Sequence, residues 1–346
     1  MKTKLKPRDW LLILLPAAVC RGFVFWLRNG EPVFQKYLYL ASHLTDSGNR
    51  PFYSSPIYTI WVYLTSELLG FSPDFLRWFQ HLFGLLTVVI LVQTVFVLTR
   101  RRYAIASGLI YGLTLPVLIY ESDLVTASLV IFVQSLAVLL LVSSLRKRRK
   151  RVPHWLLAGL LTGISIGIRP NAMLSVPVIV LTLTGYRRLN RLKVFRVTNF
   201  LAGLLLTIAP ITFFNYVKTT EVIPVTASGG SVLYSSNNFR ASGLGYSAPP
   251  ALTVVENQWM QQNRVDQPVE HAIFKFLAER ASGRLLTHRE TSSFYKQEAW
   301  RYLQQSPAKT LRYFLRKTLY TFNNYEVLDT ASLVSAGQQI RSGLPF

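Results

Sequence analysis

The chain has 346 residues, half of them hydrophobic, a positive mean hydropathy of +0.28 and a formal net charge of +22. Several apolar runs reach or approach the ~18 residues that indicate a membrane-spanning helix, which excludes an ordinary soluble domain. The basic residues lie in short clusters beside those runs, as in membrane topology signals, and this argues against a nucleic-acid partner. The single cysteine, Cys20, excludes an intrachain disulfide.

Seven apolar segments are predicted to cross the membrane. They are residues 10–27, 76–98, 103–119, 124–145, 155–168, 172–184 and 197–216. A cytoplasmic N-terminus places all three basic clusters (100–102, 146–151 and 187–196) inside, as the positive-inside rule requires. We therefore predict an integral, multi-pass protein of the cell (inner) membrane. Residues 29–75, the acidic pair after the third span, and everything beyond about residue 218 then face outward.

The long first outer loop, residues 29–75, contains two predicted short helices. Residues 33–44 place apolar side chains on one face of an amphipathic helix. Residues 51–58 are predicted to be extended, because residues before proline avoid the helical region. Residues 60–69 form the second helix, whose aromatic character suits the headgroup level of a membrane.

Glu121 and Asp123 stand between the third and fourth spans, neither of which carries a charge. Charged groups are costly at membrane depth, so this pair is a functional candidate, with a plain polar turn as the alternative. An outward carboxylate can act as a general base or hold a divalent metal. Arg169, between two short spans, can clamp a phosphate, or it snorkels to the surface. Arg21, inside the first span, can likewise bind a phosphate, or it can simply pair with an acidic side chain.

Residues 218–346 are more polar and form the second predicted domain, after a membrane domain that covers residues 1–217. Helices are predicted near 268–281, 291–305 and 307–323. The last of these is amphipathic and basic, which is typical of a helix that lies on a membrane surface.

Several short motifs occur in an order that resembles one known family. They are residues 37–41 (YLYLA), 52–58 (FYSSPIY), 120–123 (YESD), 167–171 (GIRPN), the Gly/Asn-rich stretch 229–243, 294–299 (FYKQEA) and 323–326 (NNYE). The chain resembles the polytopic GT-C glycosyltransferases that use polyprenyl-phosphate-linked sugars, such as the protein O-mannosyltransferases and the aminoarabinose transferase. Each motif is weak alone, and the order and spacing carry the resemblance.

The resemblance implies an all-α, GT-C-like bundle that transfers a sugar from a polyprenyl phosphate to a glycan, lipid or protein acceptor at the outer face. It implies catalytic roles for Glu31, Glu121 and Asp123, and contacts of Arg169 and Arg21 with the donor phosphate. The substrate-binding residues it implies are Tyr37, Tyr58, Asn237 and Asn238. No cofactor is certain; a divalent metal stays open, whereas no His/Cys spacing indicates zinc.

Two departures from the family pattern leave alternatives open. The family's first-loop aspartate closely precedes the Tyr-rich helix, whereas here the nearest acids are Glu31 before it and Asp46 after it. A catalytically inactive GT-C-like component or a lipid-linked glycan transporter is therefore the alternative, although the internal repeats expected of a transporter are not evident. Related chains continue with further spans, so either a truncated or a naturally short member is expected.

Overall fold

The computed structural model describes residues 5–28, 36–45, 50–146, 152–185, 190–238, 270–305 and 307–321. These residues form helices joined by turns, with no strand among them, and the predicted all-α architecture is confirmed. They divide into two compact units. The first takes the described residues within Met1–Gly48 and Ser55–Phe214, and the second takes those within Asn49–Ser54 and Asn215–Asp329.

The first unit is a bundle of ten α-helices with two short irregular helices among its described residues. In chain order these are α1 (Pro7–Leu27), α2 (Lys36–Ser42), α3 (Pro56–Val62), a π-helical turn (Tyr63–Leu68), α4 (Pro73–Leu98), α5 (Arg101–Leu113), α6 (Leu115–Glu121), α7 (Ala127–Arg146), α8 (Val152–Ile168), a 3-10 turn (Pro170–Leu174), α9 (Ser175–Thr184) and α10 (Arg191–Thr219), whose last residues belong to the second unit.

Four helices, α1, α4, α7 and α10, are long and apolar enough to cross a membrane, and they support an integral membrane protein. The pair α5 and α6 qualifies as a fifth span, but it bends by 55° at Thr114. The other two predicted spans form α8, with 17 residues, and α9, with 10 residues, both below the length criterion. All seven predicted apolar segments are therefore found as helices: four long enough to cross a membrane, one bent pair, and the two segments around Arg169 that were predicted to be short.

The first-loop helices differ in part from the prediction. Helix α2 lies within the predicted 33–44, of which residues 33–35 fall outside the described part of the chain. Helix α3 begins at Pro56 rather than at residue 60, and the predicted extended stretch ends at Ser55. Proline lacks an N–H that the first helical turn would leave unpaired anyway, so Pro56 starts the helix instead of prolonging the extended chain.

The core of the first unit joins the loop helices to the bundle. Helix α4 packs against α5 and α7, and α7 packs against α8. One buried cluster contains Tyr37, Ala41, Tyr58, Val62, Leu76, Leu124, Leu129, Val130, Val133 and Ile168. This cluster places the first-loop tyrosines beside the α6–α7 junction and the end of α8.

Helices α8 and α10 approach each other closely through small residues. A Cβ added at Gly159 would lie 1.9 Å from the Phe200 carbonyl oxygen, and one at Gly203 would lie 2.0 Å from the Leu156 carbonyl oxygen. Such backbone contact is how helices associate in lipid, where the hydrophobic effect between them is weak.

The second unit contains α11 (Gly229–Ser236), α12 (Glu270–Ser282), α13 (His288–Gln305) and α14 (Pro307–Thr321) among its described residues. Helix α13 begins with a capping box. The Thr287 backbone N–H donates to the Glu290 carboxylate at 2.8 Å, and the Glu290 N–H donates back to the Thr287 hydroxyl at 3.2 Å. The bond from Thr287 and then the contact with Arg284 lower the pKa of Glu290.

Candidate functional site

Glu121, the last residue of α6, is held in a buried ion pair. Its side chain is 1% exposed, and its Oε1 accepts a hydrogen bond of 2.9 Å from Nη2 of Arg21 on α1, which is 4% exposed. Its Oε2 lies 3.3 Å from Nδ1 of His81 on α4. One carboxylate therefore ties together α1, α4 and α6.

Arg21 makes further contacts that originate in the local sequence. Its Nη1 donates to the carbonyl oxygens of Gly112 at 3.0 Å and Ala17 at 3.2 Å. Proline at position 116 has no N–H, so the carbonyl of Gly112, four residues earlier, has no donor within a continuous helix. The arginine satisfies that carbonyl at the break between α5 and α6.

Gly84 on α4 leaves the space that the Glu121 carboxylate occupies. A Cβ built at Gly84 would lie 1.9 Å from Oε1 and 2.2 Å from Cδ of Glu121. Any other residue at this position would collide with the charged group, so the glycine is part of the same buried arrangement.

We expect Gly84→Ala to destabilise the protein, although the same change at an exposed position inside a helix stabilises that helix by about 1 kcal/mol. The added methyl would push Glu121 away from Arg21, and overpacking of this kind costs about 1–3 kcal/mol. Thermal unfolding in detergent measures the effect. The matched control is Gly22→Ala on α1, where a new Cβ meets nothing within 4 Å. Equal melting temperatures for the two variants would contradict this account.

Asp123 lies two residues further on, in a different environment. Its side chain is fully buried, and its Oδ1 accepts a hydrogen bond of 2.8 Å from the backbone N–H of Leu124. The side-chain amide of Gln80 on α4 donates to the Asp123 carbonyl oxygen. These bonds fix the turn that joins α6 to α7 and hold the carboxyl group in place.

A chain of polar side chains runs from the first-loop helices toward Asp123. The hydroxyl of Tyr37 lies 3.1 Å from that of Ser55, and the rings of Tyr37 and Tyr58 meet edge to face with their centres 4.6 Å apart. The Tyr58 hydroxyl donates to Oε1 of Gln80 at 3.4 Å. Burial raises the pKa of Tyr58, and the neighbouring Tyr37 and Asp123 side chains raise it further. This phenol therefore stays protonated.

Arg169 is exposed and follows directly on α8. Its backbone N–H donates to the Ser165 carbonyl at 2.8 Å, and its own carbonyl accepts from the Ala172 N–H at 2.9 Å. The preceding residue, Ile168, packs in the cluster that also holds Leu124 and Tyr58. The backbone at Arg169 is thus fixed to the region of Asp123, while its side chain reaches out of the protein.

Three predicted site residues remain, Asn237, Asn238 and Glu31. Asn237 and Asn238 follow α11 in the second unit, and their side-chain amides donate to the carbonyls of Leu233 at 2.8 Å and Tyr234 at 3.0 Å. Both satisfy carbonyls at the end of their own helix. Glu31 lies outside the described residues, as do Asp46, Gly243 and the predicted motif at 323–326.

Sequence reasoning missed three polar residues that organise this region. Gln80 and His81 lie on α4, and the Ser128 hydroxyl on α7 donates to Oε1 of Gln80 at 2.7 Å. The adjacent pair Gln80 and His81 inside an apolar span was the signal that could have identified them. No group of three or more His, Cys, Asp or Glu residues suited to a metal occurs in the described part of the chain.

Residues 54–214 match the family model described as dolichyl-phosphate-mannose-protein mannosyltransferase. The match covers a little under half of the chain and contains Tyr58, Glu121, Asp123 and Arg169. It supports a GT-C-like membrane glycosyltransferase and confirms the resemblance found in the motifs. A search of curated proteins returned no match.

Proposed function

We propose, from the family match over residues 54–214, that this protein transfers a sugar from a polyprenyl-phosphate carrier to an acceptor hydroxyl at the outer face of the membrane. The family implies a glycosyltransferase with a lipid-phosphate sugar. The observation that carries the finer proposal is Asp123, a buried carboxylate within the matched segment, fixed by the Leu124 N–H and beside Tyr58. The face follows from the positive-inside prediction, with the N-terminus in the cytoplasm.

In this reaction the acceptor oxygen attacks the anomeric carbon, the bond from that carbon to the phosphate oxygen breaks, and the polyprenyl phosphate leaves. We assign the general base to Asp123, which takes the proton of the acceptor hydroxyl. Arg169 pairs with the phosphate oxygens as charge develops on the leaving group. Tyr37 and Tyr58, which pack against each other in the cluster next to the turn of Asp123, stay predicted substrate-binding residues. Glu31 stays a predicted second catalytic carboxylate.

We assign Glu121 and Arg21 to structure rather than to chemistry. Each already uses its charge on the other, and His81 approaches the second oxygen of the carboxylate. Both oxygens of the carboxylate are thus in contact with protein side chains, which leaves the group poorly placed to take a proton from a substrate. In the same way, Asn237 and Asn238 serve the end of α11.

The direct test incubates membranes that contain the protein with a radiolabelled polyprenyl-phosphate sugar and follows the label into lipid, glycan and protein fractions. Label in an acceptor, but none from the matching nucleotide sugar, supports the proposal. Mannose is the first sugar to test, since the matched family is described by that donor. Failure with every lipid-linked sugar, in membranes where the protein is folded, would favour the inactive GT-C-like component.

We expect Arg169→Ala to raise the KM for the lipid donor about ten- to a hundredfold, because a hydrogen bond to a charged group is worth about 1.5–3 kcal/mol. Arg169→Lys keeps the charge without the bidentate fork and should lose less. Neither variant should lower the melting temperature, since the side chain is exposed. The matched control is Arg146→Ala, another exposed arginine at a helix end. An unchanged KM together with a lower melting temperature would assign Arg169 to structure.

A further inference from the structure

A half-open groove lies on the first unit between the start of α1 and the junction of α4 with α5. Its volume is about 1240 Å³. One wall is apolar and includes Leu11, Leu12, Leu15, Phe96 and Ile105. The rim is basic and includes Arg8, Arg100, Arg101 and Arg102. The groove therefore sets a long apolar surface directly beside a cluster of guanidinium groups.

The rim keeps an excess of positive charge. Asp9 is the acidic residue of the lining, and it is paired with Arg101, whose Nε donates to Oδ2 of Asp9 at 2.7 Å. Arg8 and Arg100 are exposed. Arg102, also exposed, lies over the ring of Tyr103 and donates a hydrogen bond of 2.8 Å to its hydroxyl, a neutral group that leaves the charge of the arginine unbalanced. Three arginines of the lining thus carry positive charge that its one carboxylate does not balance.

The apolar wall is exposed as well, with Leu11 65%, Leu12 54% and Leu15 57% accessible. Leucines beside the end of a spanning helix face lipid chains, and arginines at that end face headgroups. A ligand that satisfies both surfaces has aliphatic chains and an anionic phosphate. Basic pockets between membrane helices bind anionic phospholipid headgroups in this way.

The groove is separate from the candidate reaction site. Arg21, which pairs with Glu121, follows Arg8 by thirteen residues of the same helix. At 1.5 Å per residue that separation is about 20 Å along α1. A sugar carrier held by the arginine rim would be out of reach of the carboxylates at the end of α6, which argues against the polyprenyl phosphate as the occupant.

We propose that this groove binds an anionic glycerophospholipid of the leaflet that surrounds the start of α1. The phosphate lies among Arg8, Arg100 and Arg102, and the acyl chains lie along Leu11, Leu12 and Leu15. The chain topology predicted from the basic clusters makes this the cytoplasmic leaflet.

Native mass spectrometry of the full chain in detergent, titrated with dioleoyl phosphatidylglycerol, tests the proposal. Dioleoyl phosphatidylcholine shows whether binding requires an anionic headgroup, and glycerol phosphate shows whether it requires the acyl chains. Polyprenyl phosphate shows whether the sugar carrier, rather than a glycerophospholipid, occupies the groove. Each basic residue near a membrane surface contributes about a fivefold change in affinity. The variant Arg8→Gln/Arg100→Gln should therefore weaken phosphatidylglycerol binding about 25-fold, whereas Arg146→Gln, at another helix end, should leave it unchanged.

Preference for phosphatidylglycerol over both phosphatidylcholine and glycerol phosphate, lost in the double variant alone, supports the site. Equal binding of the two phospholipids, equal loss in the Arg146→Gln control, or displacement by equimolar polyprenyl phosphate overturns it. Melting temperatures in phosphatidylcholine nanodiscs verify folding, and Arg102→Gln replaces the double variant if that one unfolds. Sugar transfer is not the readout, so the result does not depend on the proposed reaction.

Discussion

Replacing Glu121 by glutamine is expected to lower the free energy of unfolding by about 3–5 kcal/mol, because it leaves the buried Arg21 without its counter-charge. Glutamine keeps the size and one oxygen of the side chain, so lost packing contributes little. The arginine keeps its bonds to two backbone carbonyls, at Ala17 and Gly112, but neither neutralises its charge. Chemical or thermal unfolding in detergent measures the loss.

The effect should be reversed in large part when the arginine is removed as well. Replacement of a buried ion pair by uncharged side chains of similar size is often neutral, whereas removal of one partner is not. We therefore expect Arg21→Met/Glu121→Gln to be more stable than Glu121→Gln alone. A double-mutant cycle across Arg21 and Glu121 isolates the coupling between the two groups.

The ion pair of Arg301 and Glu298, 2.6 Å apart on α13 and with side chains 64% and 32% exposed, provides the control. Surface pairs of this kind contribute about 0–1 kcal/mol, so Glu298→Gln should change stability little. If Glu121→Gln proves as mild as Glu298→Gln while sugar transfer collapses, the carboxylate belongs to the reaction and its assignment to structure is wrong.

The helices of the first unit follow from the sequence because a backbone in lipid must satisfy its own polar groups. Long apolar runs therefore became α1, α4, α7 and α10. The bend at Thr114 also has a local cause, the proline at position 116, but a hydropathy window does not register it. The two short apolar segments predicted on either side of Arg169 form α8 and α9, and both are short as expected.

The different roles of the two acidic residues could not be predicted from the sequence. Glu121 and Asp123 share one short stretch, and their different roles depend on which helices lie against each side chain. Arg21 reaches Glu121 across 100 residues, and Gln80 reaches Asp123 across 43. No local pattern encodes those pairings. Pairing of Arg21 with an acid was among the sequence alternatives, but the choice between Glu121 and Asp123 needed the fold.

Replacing Asp123 by asparagine is expected to lower the rate of sugar transfer about 10²–10⁴-fold, the usual contribution of a positioned general base. Asparagine removes the basic oxygen but keeps a carbonyl oxygen in the place of Oδ1. That oxygen can still accept the hydrogen bond from the Leu124 N–H, and the Asp123 main-chain carbonyl still accepts from Gln80. The turn should therefore survive, and the melting temperature should fall by far less than in Glu121→Gln.

The decisive measurement is the turnover rate at saturating lipid donor, taken together with the melting temperature of the same preparation. The matched control is Glu67→Gln, which removes an exposed carboxylate from the same unit and should leave both values unchanged. A rate that falls only in proportion to the folded fraction would make Asp123 a structural residue of the turn. A large loss of rate in a fully folded protein, with the KM for the donor little changed, is what a base that acts on the acceptor predicts, because the phosphate of the donor contacts Arg169 instead.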